Sequence, residues 1–193
     1  IEDYAFNFDE SIVLIATETE KIYRHSTKQK YYTCESKSST LRLVTEGKVR
    51  LAAFSPAENK IAFVRENNLY YKDIETGKEI QVTRDGKSNS LINGATDWVY
   101  EEEFSFDRAY AWSPDGKKIA FYRFDETNVK EFSIPTYGDY VYPLDVKFKY
   151  PKAGEENSKV TIYIYDVKTN IKTMVDIGNE YEYIPRIKWT ANL

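Results

Sequence analysis

Two stretches of this 193-residue chain repeat one another. Phe54-Ser55-Pro56-Ala57-Glu58-Asn59-Lys60-Ile61-Ala62-Phe63 lines up with Trp112-Ser113-Pro114-Asp115-Gly116-Lys117-Lys118-Ile119-Ala120-Phe121. In each copy an aromatic residue closes one strand, a turn of the Ser-Pro-Asp-Gly kind follows, and a second strand carries Ile-Ala-Phe at its centre. Pro and Gly supply the backbone angles such a turn needs. Phe8-Asp9-Glu10-Ser11-Ile12-Val13-Leu14-Ile15 reads as a worn copy, and Trp189-Thr190 as the opening of a fourth. A second hairpin follows each repeat. Asn68 to Ile74 alternates, turns at Glu75-Thr76-Gly77-Lys78 and resumes at Glu79 to Thr83; Val160 to Val167 does the same and turns at Lys168-Thr169-Asn170. Period-2 alternation bounded by turn residues predicts antiparallel strands.

Four strands per unit, repeated every few dozen residues, predict an all-β fold built as a partial β-propeller of about three four-stranded antiparallel blades. The copies are unevenly spaced: Phe8 to Phe54 is 46 residues, Phe54 to Trp112 is 58 and Trp112 to Trp189 is 77. The excess predicts two insertions, one at about 84–108 carrying a short helix and one at about 128–157 containing Pro135, Pro143 and Pro151. Alternation from Val141 to Phe148 predicts a projecting β-hairpin arm in the second. A closed propeller has about four to eight blades, so three are expected to form an arc with open edges that tend to pair. Both ends read as interior segments of a longer chain.

The net charge of −4 lacks the basic footprint of a nucleic-acid binder. Cys34 is the only cysteine, which excludes an intrachain disulfide, and is read as an inert strand residue; no Asn-X-Ser/Thr acceptor is present. These features suit a bacterial chain. One His and one Cys do not make a usual zinc site, and no EF-hand-type loop is present, so neither metal nor cofactor is expected. No Gly-X-Ser-X-Gly elbow occurs; Gly86-Lys87-Ser88-Asn89-Ser90 has the wrong spacing.

The chemistry concentrates in Asp97-Trp98-Val99-Tyr100-Glu101-Glu102-Glu103. From Asp97 to Asp107 there are five acids and no base. Adjacent carboxylates repel, and their natural use is to receive a cation. A glutamate run on its own is more often a solvated helix face. The run, with Trp112-Ser113-Pro114 after it, resembles the N-terminal propeller of the dipeptidyl peptidase IV family, serine exopeptidases of the prolyl oligopeptidase clan. Tyr23-Arg24-His25-Ser26 resembles the family's Trp-Arg-His-Ser segment, with Tyr23 in place of its Trp. Ala120-Phe121-Tyr122-Arg123-Phe124-Asp125-Glu126-Thr127 is similar to the strand that leads into the family's extended arm, and Tyr150-Pro151-Lys152-Ala153-Gly154 to the segment that ends it. The matches follow the family's order across nearly the whole chain.

The resemblance implies that Glu102 and Glu103 bind the free amino terminus of a peptide substrate and that Arg24 binds a substrate backbone carbonyl. An α-ammonium offers three donors and has a pKa near 8, and two carboxylates accept its hydrogen bonds with charge assistance. Successive residues of a helical turn point about 100° apart, so two neighbouring glutamates reach one cation from two sides. Asp97 is placed to cap that helix, Arg24 to pair with a glutamate, Glu101 to be structural or solvated, and His25 to be structural. Pinning the amine makes the site a ruler that releases dipeptides ending in Pro or Ala.

By the same resemblance, the catalytic Ser, Asp and His lie in a separate C-terminal α/β-hydrolase domain absent from this chain, which alone is expected to be inactive. The family further implies homodimerisation through the arm and the hydrolase domain, and a periplasmic, cell-envelope or secreted location. Two alternatives stay open: a prolyl tripeptidyl or acyl-peptide hydrolase relative with a different ruler length, and a non-catalytic propeller that binds partners. No apolar run is long enough to span a membrane.

Overall fold

A computed structural model describes residues 1–139 and 141–191. The first blade comprises β1 (Asp3–Phe6), β2 (Ile12–Lys21), β3 (Thr27–Glu35) and β4 (Leu41–Leu43), hydrogen-bonded in that order. The second comprises β5 (Arg50–Phe54), β6 (Lys60–Arg65), β7 (Asn68–Asp73) and β8 (Glu79–Gln81). The first insertion supplies β9 (Leu91–Asn93) and the helix α1 (Trp98–Phe104). After β10 (Tyr110–Trp112) and β11 (Lys118–Asp125), the arm forms as the hairpin β12 (Glu131–Thr136) with β13 (Leu144–Lys149). The chain then returns through β14 (Lys159–Asp166) and β15 (Ile171–Met174). The third blade has the order β10-β11-β14-β15, and β9 pairs with the outer half of β11. The architecture is the expected one: three antiparallel blades, a helical insertion and a hairpin arm. The strand β9 is an addition that its three residues were too short to announce.

Burial explains why the blades stack. Ile61-Ala62-Phe63-Val64 of β6 are all buried, as are Ile119-Ala120-Phe121-Tyr122 of β11. Side chains alternate between faces, so a continuous buried run means that both faces are covered. Ile61 and Phe63 join Leu14, Ala16 and Tyr31 of the first blade. Ala62 and Val64 join Trp112, Ile119 and Phe121 of the third. Each large side chain buried this way stabilises the fold by about 1.5–3 kcal/mol. By contrast β2 buries Ile12, Leu14 and Ala16 while Val13 and Ile15 stay half-exposed, because one face of the first blade is uncovered.

The repeated turns share one hydrogen bond. Ser55 N–H donates to Lys60 O and Ser113 N–H to Lys118 O, both at 2.8 Å. The first blade has the same bond from Asn7 N–H to Ile12 O at 3.0 Å, and Asn7 Oδ1 accepts from Ile12 N–H as Ser113 Oγ does from Lys118 N–H. Phe6, the last residue of β1, is therefore the counterpart of Phe54 and Trp112. Phe8, assigned that place from sequence, lies in the turn and is 51% exposed. Asn takes the place of Ser because its amide oxygen serves the same N–H. The expected fourth-blade strand at Trp189-Thr190 is likewise not formed. Residues 175–191 run without regular structure beside the third blade, with Trp189 Nε1 donating to Ala111 O at 3.0 Å and Val175 and Ile187 packed on the core. Val175 N–H donates to Ile162 O at 2.8 Å beside the end of β15, and beyond it the segment forms no regular strand.

The arm is latched at its root. Trp98 of α1 packs on Tyr150 with ring centres 4.2 Å apart, and Phe132 and Phe148 complete the cluster. Lys149 Nζ donates to Val129 O at 2.7 Å. Glu126, at the start of the arm, is buried; that burial, reinforced by repulsion from Asp97 and opposed by Lys149, pushes its carboxyl up to about 7.

Two outcomes follow. Gly116 has φ +70°, and a Cβ there would lie 2.5 Å from Ser55 Oγ of the neighbouring blade's turn. Gly116→Ala is expected to cost about 1–3 kcal/mol in urea unfolding. The folded chain holds the Glu126 proton up to about pH 7, whereas the unfolded value is 4.5. The stability supplied by the neutral form is thus complete below 4.5 and lost as pH rises to 7. Glu126→Gln should match the wild type near pH 4.5 and exceed it by about 3 kcal/mol at pH 8, read as the difference between their unfolding curves across pH.

Candidate functional site

The helix α1 has seven residues, and its position is set at both ends. Asp97 caps it: Oδ1 accepts from Tyr100 N–H at 3.0 Å, while Oδ2 accepts from Ser158 Oγ at 2.6 Å and ties the cap to the start of β14. Burial pushes the Asp97 carboxyl up, and the hydrogen bonds from Ser158 and Tyr100 oppose this. Ser105 ends the helix in the left-handed region at φ 55°. Tyr100 is the core-side anchor. Its ring packs among Phe104, Phe106 and Phe124, and its hydroxyl accepts from Ile184 N–H at 2.8 Å.

With the helix fixed, its 100° steps give three identical residues three environments. Glu101 points inward and is 1% exposed. Its Oε1 accepts two backbone N–H groups, from His25 at 2.8 Å and Ser26 at 2.9 Å. Glu102 lies at the boundary, with its side chain 15% exposed, and its Oε2 is 3.5 Å from Arg24 Nη1. Glu103 is exposed and lines a cleft of about 530 Å³ together with Trp98, Phe104, Tyr150, Lys152 and Tyr183.

Arg24 sits in the β2–β3 loop, which Ile22 N–H closes by donating to Ser26 O at 2.9 Å. Its side chain is 72% exposed. A surface ion pair with Glu102 contributes at most about 1 kcal/mol, so Arg24 is held in place by its backbone and not by that contact. Tyr23 packs its ring 5.8 Å from Phe148 at the arm root, and burial pushes its hydroxyl up to about 12. His25 contributes its backbone N–H, consistent with a structural role.

The structure therefore brings Arg24 and Glu102 together across 78 positions of sequence (102 − 24) and sets Glu103 beside them on the same helical turn. Two carboxylates and a guanidinium on one solvent-facing rim can take an ammonium and a neighbouring carbonyl. The sequence did not reveal what Glu101 grips, because nothing in a run of three glutamates marks the inward one until a helix start and a core-facing Tyr100 are known. Among the described residues no group of three His, Cys, Asp or Glu side chains is arranged to hold a metal.

The family described as the dipeptidyl peptidase IV (DPP IV) N-terminal region matches residues 7–193. The chain is 40% identical over 185 residues to the probable dipeptidyl-aminopeptidase B of Chaetomium globosum, covering 88% of this chain and 20% of that protein. It is 36% identical over 184 residues to dipeptidyl peptidase 4 of Trichophyton rubrum, covering 91% and 23%. The crystal structure of Porphyromonas gingivalis dipeptidyl peptidase 4 superposes with a TM-score of 0.94 at 42% identity, over 100% of this chain and 28% of that one. The chain thus spans about a fifth to a quarter of the curated relatives it matches. With the blades, the capped glutamate helix and the arm all in place, the chain belongs to the dipeptidyl peptidase IV N-terminal region family.

Proposed function

We propose that this chain is the substrate-binding propeller part of a serine exopeptidase that releases N-terminal dipeptides, preferring Pro or Ala as the second residue. Glu102 and Glu103 accept the hydrogen bonds of the substrate's α-ammonium, and Arg24 binds a backbone carbonyl next to it. The observation that carries this reading is the meeting of Arg24 with Glu102 at 3.5 Å, beside an exposed Glu103, on the rim of a fold of this family. The ammonium replaces water with two charge-assisted acceptors, and a substrate with a blocked amine loses both. The catalytic Ser, Asp and His are then supplied by an α/β-hydrolase domain of the parent protein, positioned so that a nucleophile two residues from the anchor meets the penultimate carbonyl. The parent dimerises through the arm, whose outer part exposes Tyr137, Val141, Tyr142 and Leu144. It works in the periplasm, at the cell envelope or as a secreted protein.

The deciding experiment is cleavage of Gly-Pro-p-nitroanilide by the full-length parent. Glu102→Gln and Glu103→Gln keep side-chain size and remove charge; each should lower kcat/KM by roughly 10- to 100-fold, the loss of a hydrogen bond to a charged group. Arg24→Ala should lower it about tenfold. N-acetylated Gly-Pro-p-nitroanilide should be a poor substrate for the wild type. Robust cleavage that neither glutamate variant changes would make the run a solvated helix face. Absence of cleavage by a correctly folded parent would favour a propeller that binds partners without catalysis.

A further inference from the structure

Beneath the rim lies a buried charge that the proposed chemistry does not use. Arg50, the first residue of β5, has Nε and Nη2 buried without a hydrogen-bond partner. Glu101 Oε2 and Ser26 Oγ are buried and unpartnered in the same way. Arg50 and Glu101 do not touch, but the attraction of Glu101 reaches Arg50, as do those of Tyr23 and Asp107; burial pushes the guanidinium pKa down and these neighbours oppose it. An ion in the interior is tolerated only near an opposite charge, and Glu101 has one oxygen occupied by two N–H groups and one left over.

The backbone is built to place Arg50 there. In the β5–β6 ladder Arg50 pairs with Val64, but the next pair is Ala53 with Ala62, so two residues of β5 oppose one of β6. This is a β-bulge, a device that re-aims side chains. Leu51 within it has φ +61°, a left-handed conformation that costs a branched residue about 1–3 kcal/mol. The bulge resets the alternation. Val49, Ala52 and Phe54 all pack towards the first blade, which an unbroken strand cannot do. Arg50, adjacent to Val49, falls on the opposite side, the side of the third blade and α1. Tyr110 of the third blade holds the bulge by placing its hydroxyl between Leu51 O and Ala62 O, which share its single proton. The strain is thus kept in place by its neighbours, and what it delivers is a buried guanidinium without a hydrogen-bond partner at Nε and Nη2.

We propose that Arg50 and Glu101 are positioning residues for the amine anchor: the Arg50 charge holds the Glu101 side chain oriented in the interior, and Glu101 holds the His25–Ser26 backbone, which fixes where Arg24 meets Glu102. Each member comes from a different part of the arc, the second blade, the helix and the β2–β3 loop of the first blade. Neither residue touches substrate. The inference rests on the dipeptide-releasing reading of the rim.

The test uses the full-length parent and Gly-Pro-p-nitroanilide, with KM and kcat measured separately. Glu101→Gln keeps an oxygen for the two N–H groups but turns an amide donor towards Arg50; it should raise KM roughly tenfold with kcat within about threefold. Arg50→Gln should do the same, and Arg50→Lys, which keeps the charge, should restore KM to within about threefold. Because Glu101 acts through Arg24, adding Glu101→Gln to Arg24→Ala should raise KM less than about twofold further. A purely structural role would instead lower the thermal midpoint and the active fraction, with KM unchanged or with effects that add in full. Either of those results, or failure of Arg50→Lys to restore KM, overturns the proposal. If Glu101→Gln does not fold, the two Arg50 variants decide it. Wild-type cleavage that Glu102→Gln and Glu103→Gln leave unchanged, or no cleavage, removes the dipeptide-releasing reading and the positioning role with it. Loss in those two variants with none in Glu101→Gln and Arg50→Gln removes only the positioning role.

Discussion

A propeller blade has two apolar faces and can cover neither by itself. That constraint organises the molecule. The centre of the second blade is buried on both sides because Ile61 and Phe63 are taken up by the first blade and Ala62 and Val64 by the third. The turns that join the strands are drawn into the same contact, with Ser55 and Ser113 buried and Gly116 lying against Ser55. Blades, turns and insertions are therefore one packing problem, and the site inherits its rigidity from that packing.

The glutamate helix shows how the rigidity is passed on. Seven residues are too few for a helix to persist alone. The helix exists because Asp97 closes its first turn and is bonded to Ser158, and because Tyr100 is locked into an aromatic cluster drawn from both sides of the helix. Once its axis and rotation are fixed, the three glutamates have no freedom over which points inward. One becomes a strut for a distant loop, one meets a guanidinium at the boundary and one faces solvent. The division of labour is geometric, since the side chains are chemically identical.

Charge placement follows a similar economy. An ion pair such as that of exposed Arg24 with half-buried Glu102, 3.5 Å apart, does little for stability. The buried groups are held by the fold: Glu101 through two backbone donors, Asp97 through a hydroxyl and a helix N–H. The β-bulge at Leu51 places a cation near this interior group at the expense of a strained backbone. Arg24 and Glu103 on the rim are left in water, whereas Glu101 and Asp97 are desolvated and hydrogen-bonded.

Much of this was legible in the chain. The repeated Ser-Pro turns and period-2 strands determined an all-β arc of stacked blades, because turn chemistry and alternation are local properties. Asp97 as a cap and a two-stranded arm could be read in the same way. What was misread shows where local rules end. Phe8 lost its assigned place to Phe6 because an Asn performs the hydrogen bond of a Ser, and Trp189 formed no strand because pairing needs a second segment. The three-residue β9 exists only through its pairing with β11. The meeting of Glu101 with His25 and Ser26, of Arg24 with Glu102, and the burial of the Arg50 guanidinium were decided by tertiary structure alone. These contacts join positions tens of residues apart, and their geometry depends on how three blades stack, which no local pattern encodes.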